Sequence, residues 1–167
     1  MGIFSFSIII NSKYINGETP SHIFVNNTII NKINELEPFY NATSIECLDS
    51  KQIQSNPYVV FEDNCIEKAT LKGIGEIINY ETFVNTVIEN KTVFGQGKGV
   101  ITTEDNQSSI AWQSYDANLL KGGYPGYRGI IYFNSTVHDK FAFLNNSVGV
   151  YQSDSDPIRA IWLWQSN

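Results

Sequence analysis

Gly95-Gln96-Gly97-Lys98-Gly99-Val100-Ile101-Thr102-Thr103 sets glycine at every second position and then runs into β-branched residues. Side chains alternate along an extended segment, so this tract has one bare face. A strand bare on one side lets a backbone, a ring or a ligand come close. It can also coil as sharply as a small closed barrel demands. Glycine loops that cradle phosphate instead open a helix, whose first N–H groups meet the anion. Here the glycines lead into strand, so Gly95, Gly97 and Gly99 read as structural glycines.

On either side, runs rich in Ile, Val, Phe, Tyr and Thr are separated by turn-forming clusters roughly every 8–12 residues, the pattern of a β-sandwich or barrel. The runs are Ile3–Ile10, His22–Ile30, Tyr58–Phe61, Ile66–Tyr80, Thr82–Ile88, Thr92–Thr103, Ser108–Tyr115, Tyr127–Phe133, Lys140–Tyr151 and Pro157–Gln165. Glu104-Asp105-Asn106, Lys121–Gly126 and Asp154–Pro157 carry turn chemistry between them. Only Asn27–Glu37 has helical spacing, with Ile29, Ile30, Ile33 and Leu36 on one side and Pro38 to end it. No linker, low-complexity tract or long repeat divides the chain. The expectation is an all-β, antiparallel, closed or nearly closed barrel of about eight strands with at most one short helix, a single domain over residues 1–167.

A chain of 167 residues can bury a real core without metal or disulfide support, and 42% hydrophobic residues fit a folded domain. The net charge of −6 and the lack of any Lys/Arg cluster argue against nucleic acid and anionic membrane surfaces as partners. No run approaches the length of a membrane-spanning helix. Ile3–Ile10 has neither a basic flank nor a small-residue cleavage site, so it reads as a buried strand rather than an export signal. Cys47 and Cys65 are either two buried thiols or one bridge, and without a recognised signal free thiols are favoured. A cytoplasmic location follows. Asn-x-Ser/Thr triplets beginning at Asn26, Asn41, Asn90, Asn106, Asn134 and Asn145 keep an extracellular, glycosylated surface open as the alternative.

The run Gly95–Asp105, then Ala111-Trp112, resembles the strand–turn–strand core of an uncharacterised family of small archaeal proteins, found especially among ammonia-oxidising archaea. Tyr127-Arg128-Gly129, Ala142–Asn146, Val148-Gly149-Val150 and Ile161–Trp164 continue the likeness, which covers roughly residues 65–165. The glycine-punctuated strands are also similar, more distantly, to the barrel of allene oxide cyclases and dirigent proteins. That likeness implies eight antiparallel strands around an apolar interior. The chain departs from its nearer relatives at Gln113–Asn118, where they carry a glycine-rich strand, and at Asp105-Asn106, where they carry Asp-Gly. The resemblance implies a fold and carries no established activity.

Arg128 stands in the apolar run Tyr127–Phe133. It could point inward and anchor a carboxylate, or outward with its stem over aromatic neighbours and its head in water. Gly129 beside it, a further structural glycine, and the apolar face of Tyr127, Ile131 and Phe133 favour the outward reading. His138 and Asp139 are adjacent in a polar stretch that reads as a hairpin turn, and strand neighbours point apart, so they form no natural catalytic pair; His22 has no metal-spaced partner, so no metal is expected. Glu62-Asp63 and Glu104-Asp105 read as solvated turns, and Asp154-Ser155-Asp156 lacks an EF-hand loop. No nucleophile elbow is present.

The first functional expectation is a non-catalytic barrel holding a small apolar or amphipathic molecule, with Arg128, Tyr132, Tyr127, Trp112 and Glu76 as candidate ligand-binding residues. The second is a cofactor-independent cyclase or isomerase on the same scaffold, in which Tyr132, Arg128 and Glu76 supply the polar groups. The third is a structural or interaction module that self-associates through its aromatic C-terminal strand. An interior filled completely by Phe, Ile and Trp side chains would remove the basis of both small-molecule readings and leave the interaction module.

Overall fold

The computed structural model describes residues 37–88, 92–119, 126–154 and 158–164. The strand Ile3–Ile10, the strand His22–Ile30 and, except for Glu37, the helix Asn27–Glu37 lie outside the described residues. Eight strands follow in chain order: β1 Tyr40–Gln54, β2 Val59–Leu71, β3 Gly75–Ile88, β4 Thr92–Thr103, β5 Ser109–Leu119, β6 Tyr127–Phe133, β7 Ser147–Ser153 and β8 Ala160–Trp164. Each pairs antiparallel with its neighbour, and β1 meets β8 to close the barrel. Among the described residues one 3-10 turn, Ala142–Leu144, interrupts the strands.

β4 and β6 keep the expected bounds, β5 runs on from Tyr115 to Leu119, and further regions differ more. The run Ile66–Tyr80 is two strands, reversed through Lys72–Ile74, where Gly73 and Gly75 hold φ of +83° and +104°. Ile74 in the turn made the run look continuous. Glu62 and Asp63 sit within β2 rather than in a turn, and the Asn85 amide donates to Asp63 at 2.7 Å. Only the second half of Lys140–Tyr151 is strand. Its first half places Phe141 and Leu144, both fully buried, among the core residues. Their burial is worth roughly 2 kcal/mol each. Asn145 fastens that loop, since its side chain accepts from Val137 N at 2.9 Å and donates to Val137 O at 2.7 Å.

β1 has no counterpart among the expected strands. Its start is held on both sides, with Tyr40 and Asn41 opposite Ile161 and Ala160, and with Phe39 N and Ala42 N bonded to Ile161 O and Arg159 O at 2.9 and 2.8 Å. From Thr43 to Gln54 every residue is exposed, so this stretch has no inward–outward alternation to read. Cys47 and Cys65 are a directly opposed pair on β1 and β2 and form a disulfide, which corrects the expectation of free thiols.

The bare face of the glycine tract points inward. A methyl group on Gly97 would lie 2.7 Å from the Phe83 ring, and one on Gly99 would lie 2.6 Å from the Trp112 indole. Those two rings lie side by side inside, 6.1 Å apart and tilted at 44°. Gly129 serves the same end from β6, where a methyl would sit 2.7 Å from Asp116 Cβ.

Candidate functional site

Inside the barrel, next to the apolar core of Leu71, Ile77, Ile101, Phe133 and Ile161, lies a buried polar cluster. Arg159, just ahead of β8, donates Nη1 to Glu81 Oε2 at 2.7 Å and to Glu67 Oε1 at 3.1 Å. Tyr40 donates its hydroxyl to Glu67 Oε1. Asn79 donates to Glu81 Oε2 at 2.9 Å and accepts the Trp112 indole N–H at 2.8 Å. The guanidinium lies over the Phe83 ring, 5.1 Å from its centroid, and 5.9 Å from that of Tyr151. Tyr151 in turn donates its hydroxyl to Asp116.

Two carboxylates around one guanidinium would leave a net negative charge away from water, which is costly. Burial pushes the Glu81 carboxyl up to about 7; Arg159 opposes the shift, and the charge on Glu67 adds to it. Near neutral pH the cluster therefore takes up one proton. Oε1 of Glu81 and Oε2 of Glu67 have no hydrogen-bond partner, so both are free places for it. Burial likewise raises Asp116, Tyr40 and Tyr151, with the carboxylates of Glu67 and Asp116 adding to the two tyrosines. Burial alone would lower Arg159, but Glu81 and Glu67 hold its pKa above the ordinary value.

This cluster leaves a cavity of about 10 Å³ beside Arg159, Phe83, Trp112 and Tyr151. That is room for one water at most. Around that cavity the side chains of the described residues meet across the barrel, as expected for eight strands.

A larger space lies outside. A groove of about 660 Å³ crosses the outer face from Leu48 through β2, β3, β4 and β5 to Tyr132 and Asn134. Strand register builds it from two rows. Ile66, Tyr80, Val100 and Ala111 are successive partners and form an apolar floor. Asn64, Thr82, Lys98, Gln113 and Tyr132 form the polar row beside it. Thr82 donates to Asn64 at 2.7 Å and Asn64 donates to Asp49 at 2.9 Å, which fixes the polar groups at the β1 end. Tyr80 is 47% and Val100 41% exposed, large for apolar groups in consecutive strands.

Of the residues singled out in the sequence, Trp112 and Tyr132 both line this groove, though the Trp112 side chain belongs to the interior. Tyr127 is half-buried against the core, and burial raises its hydroxyl pKa. Arg128 is exposed and pairs with Asp154 at 3.3 Å. Glu76, also exposed, accepts from Thr70 at 3.0 Å. These five do not converge. Arg159, Glu67, Glu81 and Asn79 escaped the sequence reading, although Arg159 shares the inward face of Ile161 and Leu163, where a lone charge is a signal.

Among the described residues no group of three or more His, Cys, Asp and Glu is placed to hold a metal ion, and no helix is long and apolar enough to cross a membrane. Comparison with family models, with curated proteins and with solved structures finds no match to this chain.

Proposed function

We propose that this chain is a non-catalytic binding module of a non-reducing compartment, and that it holds an amphipathic molecule on its outer groove rather than inside the barrel, where the expected internal site has no room. The carrying observation is the contrast between the two spaces, about 10 Å³ inside and about 660 Å³ outside. Specific small-molecule sites usually occupy a few hundred cubic ångströms, with apolar walls and a few placed polar groups. Ile66, Tyr80, Val100 and Ala111 supply the wall, and Asn64, Thr82, Lys98 and Gln113 the polar groups. The disulfide supports the compartment, because such bridges persist where thiols are not kept reduced.

A cyclase or isomerase inside the barrel has less support. Glu67, Glu81 and Arg159 are bonded to one another and buried, and Arg128 lies at the surface. Native mass spectrometry of the protein purified from its own cells tests the reading. A bound small molecule that is lost in Val100→Glu supports it. A bare monomer speaks against it, and a dimer lost in the same variant assigns the face to a second copy.

A further inference from the structure

We propose that Asn134 is an N-glycan acceptor and that its first sugar packs on the ring of Tyr132. The triplet Asn134-Ser135-Thr136 follows directly on Tyr132-Phe133, the end of β6. Residues two apart share a face of an extended chain, about 7 Å from one another, close enough for a sugar on one to lie over the side chain of the other. Tyr132 is 37% exposed and Asn134 is exposed, both along the rim of the groove. The apolar face of a sugar and a tyrosine ring make a favourable amphipathic contact there.

Structure separates this triplet from the others. Asn41 is locked in the ladder between Thr70 and Ala160. Asn106 sits in a tight turn at φ +56°, its side-chain oxygen accepts from Thr102 at 3.0 Å, and Ser108 of its triplet is buried. Asn145 spends its amide on both backbone groups of Val137. Asn26 and Asn90 lie outside the described residues. Asn134 alone among the described acceptors is exposed, without a side-chain hydrogen bond to the described residues, and outside regular structure. Its loop is still short, held by β6 on one side and the Val137–Asn145 pair on the other.

In the modification, the Asn134 amide nitrogen attacks the anomeric carbon of a lipid diphosphate-linked oligosaccharide. A carbon–nitrogen bond forms, the sugar–phosphate bond breaks, the lipid diphosphate leaves, and the amide gives up one proton. The site shares the non-reducing compartment with the proposed function and does not depend on what the groove binds.

Tryptic cleavage after Arg128 and Lys140 releases residues 129–140 as one peptide. From protein purified from its own cells, this peptide should carry a glycan mass, and Thr136→Ala should return it to the bare mass. A peptide found only at the bare mass overturns the acceptor. The Cys47–Cys65 cross-linked peptide in the same digest reports the compartment separately. Deglycosylation should lower the wild-type Tm by about 2–4 °C and leave Tyr132→Ala unchanged; equal drops in both overturn the packing on Tyr132.

Discussion

Arg159 and Glu81 lie 78 residues apart in the chain and 2.7 Å apart in the barrel, joined by a buried hydrogen-bonded ion pair. The same nitrogen reaches Glu67 at 3.1 Å, so one guanidinium ties β2 and β3 to the entry of β8, the strand that completes the ring. Its worth depends on which partners remain.

Replacing Arg159 alone leaves two carboxyl groups buried against each other. Removing one partner of a buried pair typically costs about 3–5 kcal/mol, whereas a well-packed apolar replacement of the whole set is often neutral. Arg159→Met should therefore lower the urea midpoint sharply, and Glu67→Leu with Glu81→Leu in the same chain should restore most of it. A single variant as stable as the wild type would show that the cluster holds nothing together.

Stability should fall as pH rises through the acid-to-neutral range. An unfolded Glu81 titrates near 4.5 and the folded one near 7, so between these values the folded state keeps a proton that unfolding releases. The advantage is complete below the lower value and lost above the higher, and it amounts to roughly 3 kcal/mol. Asp116, also raised by burial, acts in the same direction. Glu37 and Asp105, lowered by Lys72 and Thr103, act below that window. Urea midpoints at pH 5 and pH 8 test the sign, with Glu81→Gln expected to flatten the difference; a midpoint that rises with pH refutes it.

Gly97→Ala should destabilise the barrel by about 1–3 kcal/mol, the usual cost of overpacking. Its new methyl would come within 2.7 Å of the Phe83 ring. That ring cannot yield easily, with Trp112 on one side and the Arg159 guanidinium 5.1 Å from its centroid. Lys98→Ala, one position along on the exposed face, should change stability by less than about 0.5 kcal/mol. Equal effects at the two positions in thermal unfolding would place the bare face on the wrong side.

The same alternation explains what could be read from residues alone. β4 and β6 were legible because glycine or apolar side chains mark one face throughout. β1 was not, because Thr43–Gln54 is exposed on both faces and polar residues there carry no period. The turn at Lys72–Ile74 was hidden by an isoleucine, with its glycines spaced as though in a strand. Arg128 drew attention for standing in an apolar run, yet Arg159 stood equally alone among Ile161 and Leu163. What distinguishes them is their partners, Asp154 at the surface and Glu67 and Glu81 inside, and the buried partners are fixed only by ring closure. The groove is likewise a property of register. Ile66, Tyr80, Val100 and Ala111 come from four strands, and no single one of them announces a site.

The disulfide supplies the last prediction. It closes a loop of 18 residues that contains the β1–β2 hairpin. Chain-entropy arguments give about 3 kcal/mol for a loop of that length. The contribution matters more here than in a strand with a full core face, because β1 beyond Ala42 is exposed and, among the described residues, pairs only with β2. Cys65 is buried while Cys47 is exposed. The variant Cys47→Ala with Cys65→Ala should unfold at lower temperature by about 6–12 °C, and its β1 amides should exchange faster than those of β4 and β5. Because β4 and β5 are paired on both sides, their protection should track global stability alone. If reduction leaves both the Tm and β1 exchange unchanged, the bridge is ornamental and β1 is held by its ladder to β2.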